Sequence, residues 1–120
     1  MKLDYDLIRQ LLLDIEERAE GFIPDTASSY RKSYPKIDEK YFLYHIKYLS
    51  ESGYIKTGID LEDIYDITPR GREYLDSIRD QGVWEEVKKK LQPFSSVPSD
   101  ILVALAKDAL SHLLGLHGTV

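Results

Sequence analysis

The chain has no cysteine, which excludes disulfide bonds and thiolate metal sites. Histidine is scarce, with 3 in 120 residues, so few histidines are available to form a catalytic or metal centre. The longest strongly apolar run, Ile101 to Ala106, is far shorter than a membrane span. The sequence contains no Ser-His-Asp order, glycine-rich phosphate loop or paired-carboxylate site. These absences predict a cytoplasmic protein that is not an enzyme, with no cofactor, no metal and no membrane segment.

What is present is ordinary for a folded protein, with 42% hydrophobic and 31% charged residues. The first residues turn acidic before a signal-peptide core could form, which agrees with the predicted cytoplasmic location. We expect a single domain overall, made of a winged-helix part at residues 1–92 and a C-terminal apolar helix at residues 93–120. That helix is expected to pack on the same domain or at a dimer interface.

The stretch from Ile37 to Ile78 has the pattern of a helix, a glycine, a hairpin and a second helix. Asp38 is a good N-cap, because its carboxylate can accept a hydrogen bond from a free N–H of the first turn. Apolar positions then recur three and four apart, as on one helix face: Phe42, His45, Ile46 and Leu49. On that face His45 is expected to be a core histidine with its hydrogen bonds satisfied. Gly53 suits the left-handed conformation that ends helices.

Two segments that alternate apolar and polar residues predict a hairpin, Tyr54 to Lys56 and Ile64 to Ile67. Thr68 and Pro69 restart a helix, with Thr68 as N-cap and Pro69 at the first helical position. A helix that leads into a two-stranded wing, with a further helix behind it, is typical of a winged helix-turn-helix. We therefore predict a mainly α (α+β) fold, with a two- or three-stranded wing and additional C-terminal helices. Phe22 to Pro24 is the candidate third strand.

The flanking helices carry wide apolar stripes. The first helix is predicted from about Asp4 to Ala19 and the last from a cap at Ser99, while Asp25 to Lys36 lacks a helical period. Each stripe is too wide for a lone surface helix, so the two helices must bury against one another, against a second copy, or both. The residues expected at a homodimer interface are Leu11, Leu12, Leu102, Leu105, Ala109, Leu110, Leu113 and Leu114.

Basic and aromatic residues concentrate before and along the central helix. Their expected role in a DNA-binding protein is contact with double-stranded DNA: Arg31, Lys32, Lys36, Lys40, Tyr41, Tyr44, Lys47 and Tyr48. The alternative for the loop members is a solvated surface whose tyrosines cover the edge of the core. The net charge of −5 and the acidic wing, Asp60 to Asp63, oppose DNA binding, although only the docking face needs to be basic. Two functions therefore stay open, a DNA-binding regulator and a module that binds a protein partner through its acidic surface.

The string from Tyr44 to Ile55 and the string from Ile67 to Leu75 resemble segments of bacterial winged-helix transcription regulators. A resemblance over nearly the whole chain is to domain-of-unknown-function family 2513, short bacterial and phage proteins. It rests on the opening Asp4 to Arg9, Tyr44-His45-Ile46, Leu75 to Asp80, Val83-Trp84 and an apolar ending near Leu113 to Leu116. The resemblance implies a winged helix of phage or mobile-element type, and it implies no assigned activity.

Overall fold

The computed structural model describes residues 1–116, so the end of the predicted 93–120 segment lies outside the described residues. The described part is a mixed α/β fold with six helices and a three-stranded antiparallel sheet of order β1-β3-β2. The elements are α1 (Tyr5–Arg18), β1 (Asp25–Thr26), α2 (Ala27–Arg31), α3 (Glu39–Glu51), β2 (Ile55–Thr57), β3 (Asp63–Ile67), α4 (Pro69–Ile78), α5 (Gln81–Leu91) and α6 (Ser99–Leu113). In these residues we find no helix with the length and apolarity needed to cross a lipid bilayer.

The chain divides into two compact units, and the division falls inside α4. The first unit contains Met1 and Leu3–Glu73, and the second contains Lys2 and the chain from Tyr74 onward. The sheet and the helices α1 to α3 belong to the first unit, while α5 and α6 belong to the second.

The first helix matches its prediction. Asp4 is its N-cap, and its Oδ1 accepts a hydrogen bond from the Leu7 N–H at 3.1 Å. The whole predicted apolar stripe is buried: Leu7, Ile8, Leu11, Leu12 and Ile15. The amphipathic spacing therefore predicted both the extent of α1 and its inward face.

The third strand does not lie where the sequence predicted it. It consists of Asp25 and Thr26, which pair with Ile64 and Asp63 of β3, and not of Phe22 to Pro24. Phe22 is 94% exposed, and Gly21 with a φ of 83° turns the chain ahead of the strand. Pro24 has no N–H to give to a ladder, so pairing begins only after it.

The caps around α3 form as predicted. The Asp38 carboxylate accepts hydrogen bonds from the N–H groups of Lys40 and Tyr41, and Gly53 ends the helix with a φ of 77°. The two hairpin strands begin within one residue of their predicted starts, at Ile55 and Asp63. A register shift between Lys56 and Thr57 places a bulge in this hairpin.

Thr68 joins the base of the hairpin to the start of α4. Its Oγ1 accepts the Gly71 N–H at 3.0 Å and its hydroxyl donates to the Gly53 carbonyl. Its own N–H donates to the Tyr54 carbonyl at 3.0 Å. Gly71, which is buried, lies against the same carbonyl group. One threonine therefore both caps α4 and fixes the end of α3 beside it.

The second unit is built on the helix pair α5 and α6. Asp80 caps α5 by accepting the Val83 N–H at 2.9 Å, and Trp84 is buried. The predicted cap at Ser99 is wrong, because the helix already includes Ser99 and its N-cap is Pro98. The Pro98 carbonyl accepts the N–H groups of Ile101 and Leu102 and so opens the helix without a side-chain cap.

Candidate nucleic-acid interface

The outward face of α3 carries two lysines, a tyrosine and a glutamate. At about 100° per residue, Lys40, Tyr44 and Lys47 fall within one arc of the helix surface, and the exposed Glu51 at the end of the helix falls in the same arc. The opposite side holds the buried residues Phe42, His45, Ile46 and Leu49. Lys40 and Lys47 are both exposed and stand two turns apart, about 10 Å along the axis. The helix thus presents two positive charges at a spacing that suits phosphates along one groove.

The lysines near α3 are not neutralised by the protein. Four of them are exposed, and within residues 1–116 none has a carboxylate in ion-pair range: Lys32, Lys36, Lys40 and Lys47. The basic triplet of α5 behaves differently, because each of its lysines lies near an acid. Lys88 is 3.7 Å from Glu85, Lys89 is 3.5 Å from Glu86, and Lys90 is 4.0 Å from Asp108. The lysines before and along α3 therefore differ from the triplet, because they have no carboxylate in ion-pair range within residues 1–116.

The acids at the leading end of α3 are already engaged. Asp38 uses its carboxylate for the helix cap. Glu39 lies 3.8 Å from the Arg31 guanidinium, so this ion pair partly neutralises the charge of Arg31. Both partners are well exposed, and such a pair adds little stability. Its effect here is to reduce the repulsion that Glu39 would present to an approaching phosphate.

The predicted tyrosines occupy two different positions. Tyr44 lies on the outward arc, and its hydroxyl donates to the Met1 carbonyl at 3.1 Å. Tyr41 and Tyr48 lie seven residues apart on the flank of the helix, and both are half-buried. Burial raises the pKa of the Tyr41 hydroxyl, and Asp4 and Tyr44 act in the same direction. Tyr41 therefore stays neutral, and of the three tyrosines Tyr44 has the position closest to the lysines of α3.

Two acids of the hairpin loop accept hydrogen bonds from other groups of the protein. Asp60 Oδ1 accepts the Glu62 N–H at 3.0 Å. Glu62 Oε1 in turn accepts from the Ser28 hydroxyl at 3.0 Å and from its N–H at 3.4 Å, at the first turn of α2. Sequence reasoning treated these acids as an outward surface, since a contact across 34 residues leaves no local signal. The Asp60 carboxylate thus closes the loop, and the Glu62 carboxylate caps the first turn of α2.

Replacing Glu62 by Lys should lower the free energy of unfolding by about 1 kcal/mol, because α2 loses a capping acceptor. Glu62→Gln keeps a carbonyl oxygen for Ser28 and should lose less. Chemical denaturation of the two variants measures the difference. Glu20→Lys is the control, because it changes the charge by the same amount at an exposed position. Within residues 1–116, Glu20 makes no hydrogen bond or ion pair. Equal unfolding free energies for Glu62→Lys and Glu20→Lys would contradict the capping role.

A polar cluster behind α2 was missed by the sequence analysis. The Arg18 guanidinium donates to Asp25 at 2.6 Å and to the Ser29 hydroxyl at 2.9 Å, and it lies 4.0 Å over the Tyr30 ring. Burial alone would raise the pKa of Asp25, but hydrogen bonds from the Thr26 N–H, Arg18 and Ser29 lower it overall. This carboxylate is consequently ionised at neutral pH and holds α2 in place.

The tyrosines that flank the basic loop are also used inside the first unit. Tyr30 is fully buried, and the Tyr34 ring lies 5.6 Å from that of Phe42. Burial raises the pKa of the Tyr34 hydroxyl, and its hydrogen bond to Asp14 raises it further. These two rings cover the core edge, so the loop offers Lys32 and Lys36 to a ligand but not its aromatic side chains.

The predicted dimer residues are split between core and surface. Leu11, Leu12 and Leu102 are completely buried in the single chain, so they have no surface left for a second copy. Ala109 is buried as well, and Leu105 and Leu110 are half-buried. The end of α6 differs, because Leu113 and Leu114 are 64% and 63% exposed.

No metal site emerges from the described residues. Within residues 1–116, no group of three or more His, Cys, Asp and Glu side chains is arranged to hold a metal ion. His112 lies 3.6 Å from Asp108 on the exposed side of α6. Its sequence neighbour His117, five residues on, falls outside the part of the chain that the structure describes.

Comparison with known proteins places the chain in a family. The model of the family described as "Hypothetical protein (DUF2513)" matches residues 2–98. The chain belongs to this family. The match confirms the resemblance found in the sequence and ends just before α6 of this DUF2513 protein. A Haemophilus influenzae (strain ATCC 51907 / DSM 11121 / KW20 / Rd) relative, named "Uncharacterized protein", is 29% identical over 125 residues, which cover 95% of this chain and 99% of the relative. No solved structure matches the chain.

Proposed function

We propose that this DUF2513 protein is a winged-helix protein that binds double-stranded DNA, as a small transcriptional regulator of phage or mobile-element type. In this proposal α3 enters the major groove, and the β2–β3 hairpin is the wing. The order of α3, hairpin and α4 supports the winged helix. The observation that carries the DNA proposal is the set of four exposed, unpaired lysines: Lys32, Lys36, Lys40 and Lys47.

Unpaired lysines matter more here than the net charge of −5. A protein gains affinity for DNA by neutralising phosphates and releasing their counterions, and a lysine already paired with a carboxylate contributes little to this. Two of the acids near the face are occupied, Asp38 by the helix cap and Glu39 by Arg31, while the exposed Glu51 at the end of α3 is the one acid on the arc itself within residues 1–116. A local positive face can therefore exist on an acidic protein.

A salt titration with random-sequence duplex DNA tests the proposal. Each lysine that contacts a phosphate contributes about 0.9 to the slope of log affinity against log salt, so four contacts predict a slope of about −3.6. A wild-type protein that binds no duplex at low ionic strength would overturn the proposal. The protein-interaction module would then take its place. That alternative draws less support from the contacts, because Asp60 and Glu62 already accept hydrogen bonds within the first unit.

We also propose that the chain forms a homodimer through the C-terminal end of α6. Leu102, Ala106 and Ala109 form the buried face of this helix. Leu113 follows Leu102 by about three helical turns on the same face, yet it is 64% exposed. The apolar stripe of α6 therefore continues beyond the part that is buried against other residues of the described chain. A two-fold contact with a second copy would bury the exposed end of the stripe.

The double variant Leu113→Glu and Leu114→Glu should convert a dimer into a folded monomer, because both side chains are exposed in the single chain and charges disfavour their burial. Light scattering across micromolar concentrations measures the mass. Ala104→Glu, at an exposed position on the other side of α6, is the control and should remain dimeric. A wild-type chain that stays monomeric throughout would remove this proposal and leave the DNA proposal standing.

A further inference from the structure

His45 is a fully buried polar side chain in the middle of α3, on the side opposite the outward arc. Both of its ring nitrogens are bonded to the backbone. Nε2 lies 2.8 Å from the amide nitrogen of Asp4, and Nδ1 lies 2.8 Å from the carbonyl oxygen of Tyr41. One bond stays within α3, and the other reaches the residue that caps α1.

The two backbone partners fix the tautomer of the ring. A backbone N–H can only donate, so Nε2 must accept from Asp4 and carries no proton. A carbonyl oxygen can only accept, so Nδ1 must carry the proton and donate to Tyr41. His45 therefore acts as a two-ended connector with one defined direction at each end.

The same ring supports the tyrosines of the proposed interface. Tyr41 meets His45 edge-on with ring centroids 4.5 Å apart, and Tyr44 does so at 5.6 Å. The Tyr44 hydroxyl is held a second time by its hydrogen bond to the Met1 carbonyl. Tyr44 is thus fixed between the imidazole and the segment that leads into α1.

We infer that His45 is a positioning residue for sequence preference, which rests on the proposed DNA binding. It ties the start of α1 to α3 and so sets the place of the Tyr44 ring on the outward arc. The lysines of the face do not contact His45, so its loss should disturb base discrimination and leave phosphate contacts intact. Phosphate contacts position a protein on DNA, whereas contacts to base edges specify the sequence.

Two amide substitutions separate this role from simple filling of space. The amide of Gln reaches as many bonds from Cβ as Nε2 does, so His45→Gln can still accept from Asp4. The amide of Asn reaches only as far as Nδ1, so His45→Asn keeps the bond to Tyr41 and loses the bond to Asp4. If His45 acts as a positioning residue, the two variants should differ in base discrimination. If His45 only fills space, the larger Gln and the smaller Asn should differ only in stability.

The probes are a duplex selected by the wild type from a randomised library and an unselected duplex of the same length. His45→Gln should keep the ratio of the two affinities within about threefold of wild type. His45→Asn should reduce that ratio by about tenfold or more with an unchanged salt slope, and the Asp4 amide should exchange rapidly with solvent. Tyr44→Phe retains the ring and removes its bond to Met1, so it should lower the ratio without touching the core even if His45→Asn folds poorly.

The outcomes distinguish the two proposals. A wild type that binds no duplex overturns the proposed function, and the inference falls with it. A wild type that binds and discriminates, with His45→Asn or Tyr44→Phe discriminating equally well, overturns the inference alone. A nitrogen-15 NMR spectrum that shows the proton on Nε2 of His45 would also overturn it, independently of DNA.

Discussion

Replacing Lys40 and Lys47 together by Gln should flatten the dependence of log affinity on log salt by about 2, since each lost phosphate contact removes about 0.9. Affinity should fall for every duplex alike, because these side chains carry charge and not base recognition. The measurement is a salt titration of the variant beside the wild type. The effect is large because both lysines are exposed and neither has an acid in ion-pair range within residues 1–116.

The matched control is Lys88→Gln with Lys89→Gln, which removes the same charge from α5. These lysines lie near Glu85 and Glu86, so their loss releases acids rather than phosphate contacts. The control should keep the wild-type slope and lose only a little affinity through the net charge. Equal slopes for the two double variants would show that net charge, and not the face of α3, governs binding.

Gly71→Ala should lower the free energy of unfolding of the first unit by at least about 3 kcal/mol. A Cβ atom at this position would lie 2.0 Å from the Tyr54 carbonyl oxygen and 2.9 Å from Ile67 Cγ1. The carbonyl cannot easily retreat, because it also accepts the Thr68 N–H at 3.0 Å. The free-energy cost of this clash exceeds the stabilisation that the higher helix propensity of alanine normally brings. Denaturant unfolding followed by circular dichroism measures the loss.

Gly82→Ala is the control for helix propensity. Gly82 is exposed in α5, and the atom nearest to a new Cβ would be the Asp80 Oδ1 at 3.1 Å, a capping oxygen that must shift by only a few tenths of an ångström while it still accepts the Val83 N–H. A propensity gain of up to about 1 kcal/mol should offset this tight contact and leave stability nearly unchanged. A Gly71→Ala variant as stable as Gly82→Ala would refute the close approach of α4 to Tyr54.

Local signals were sufficient to predict most of the element order. Asp38, Gly53 and Thr68 each mark a helix end by chemistry that acts within a few residues, and all three act as predicted. Strand β1 lies two to three residues after its predicted place, because its position depends on pairing with Asp63 and Ile64 far along the chain. Short strands with weak periodicity are fixed by such partners rather than by their own sequence.

The position of the candidate site could be predicted from the sequence, but not which of its charged side chains are paired. Helical spacing placed Lys40, Tyr44 and Lys47 together, since a face follows from the period of the helix. Whether a charge is free depends on tertiary contacts, such as Lys90 with Asp108 or Glu62 with Ser28. Sequence spacing reveals neither contact. The sequence analysis selected the lysines before and along α3, but only the structure shows that the triplet of α5 lies near acids and that these lysines do not within residues 1–116.

The Thr68 hydroxyl has a consequence for the order of folding. It bonds to the Gly53 carbonyl at the end of α3 and to the Gly71 N–H at the start of α4. The β2–β3 hairpin lies between these two partners, so the strand pairing and both hydrogen bonds fall within the segment from Gly53 to Gly71. Contacts at short sequence separation close fast, because little loop entropy is lost. The segment from Gly53 to Gly71 should therefore form in one kinetic step, ahead of the distant pairing of β1 with β3.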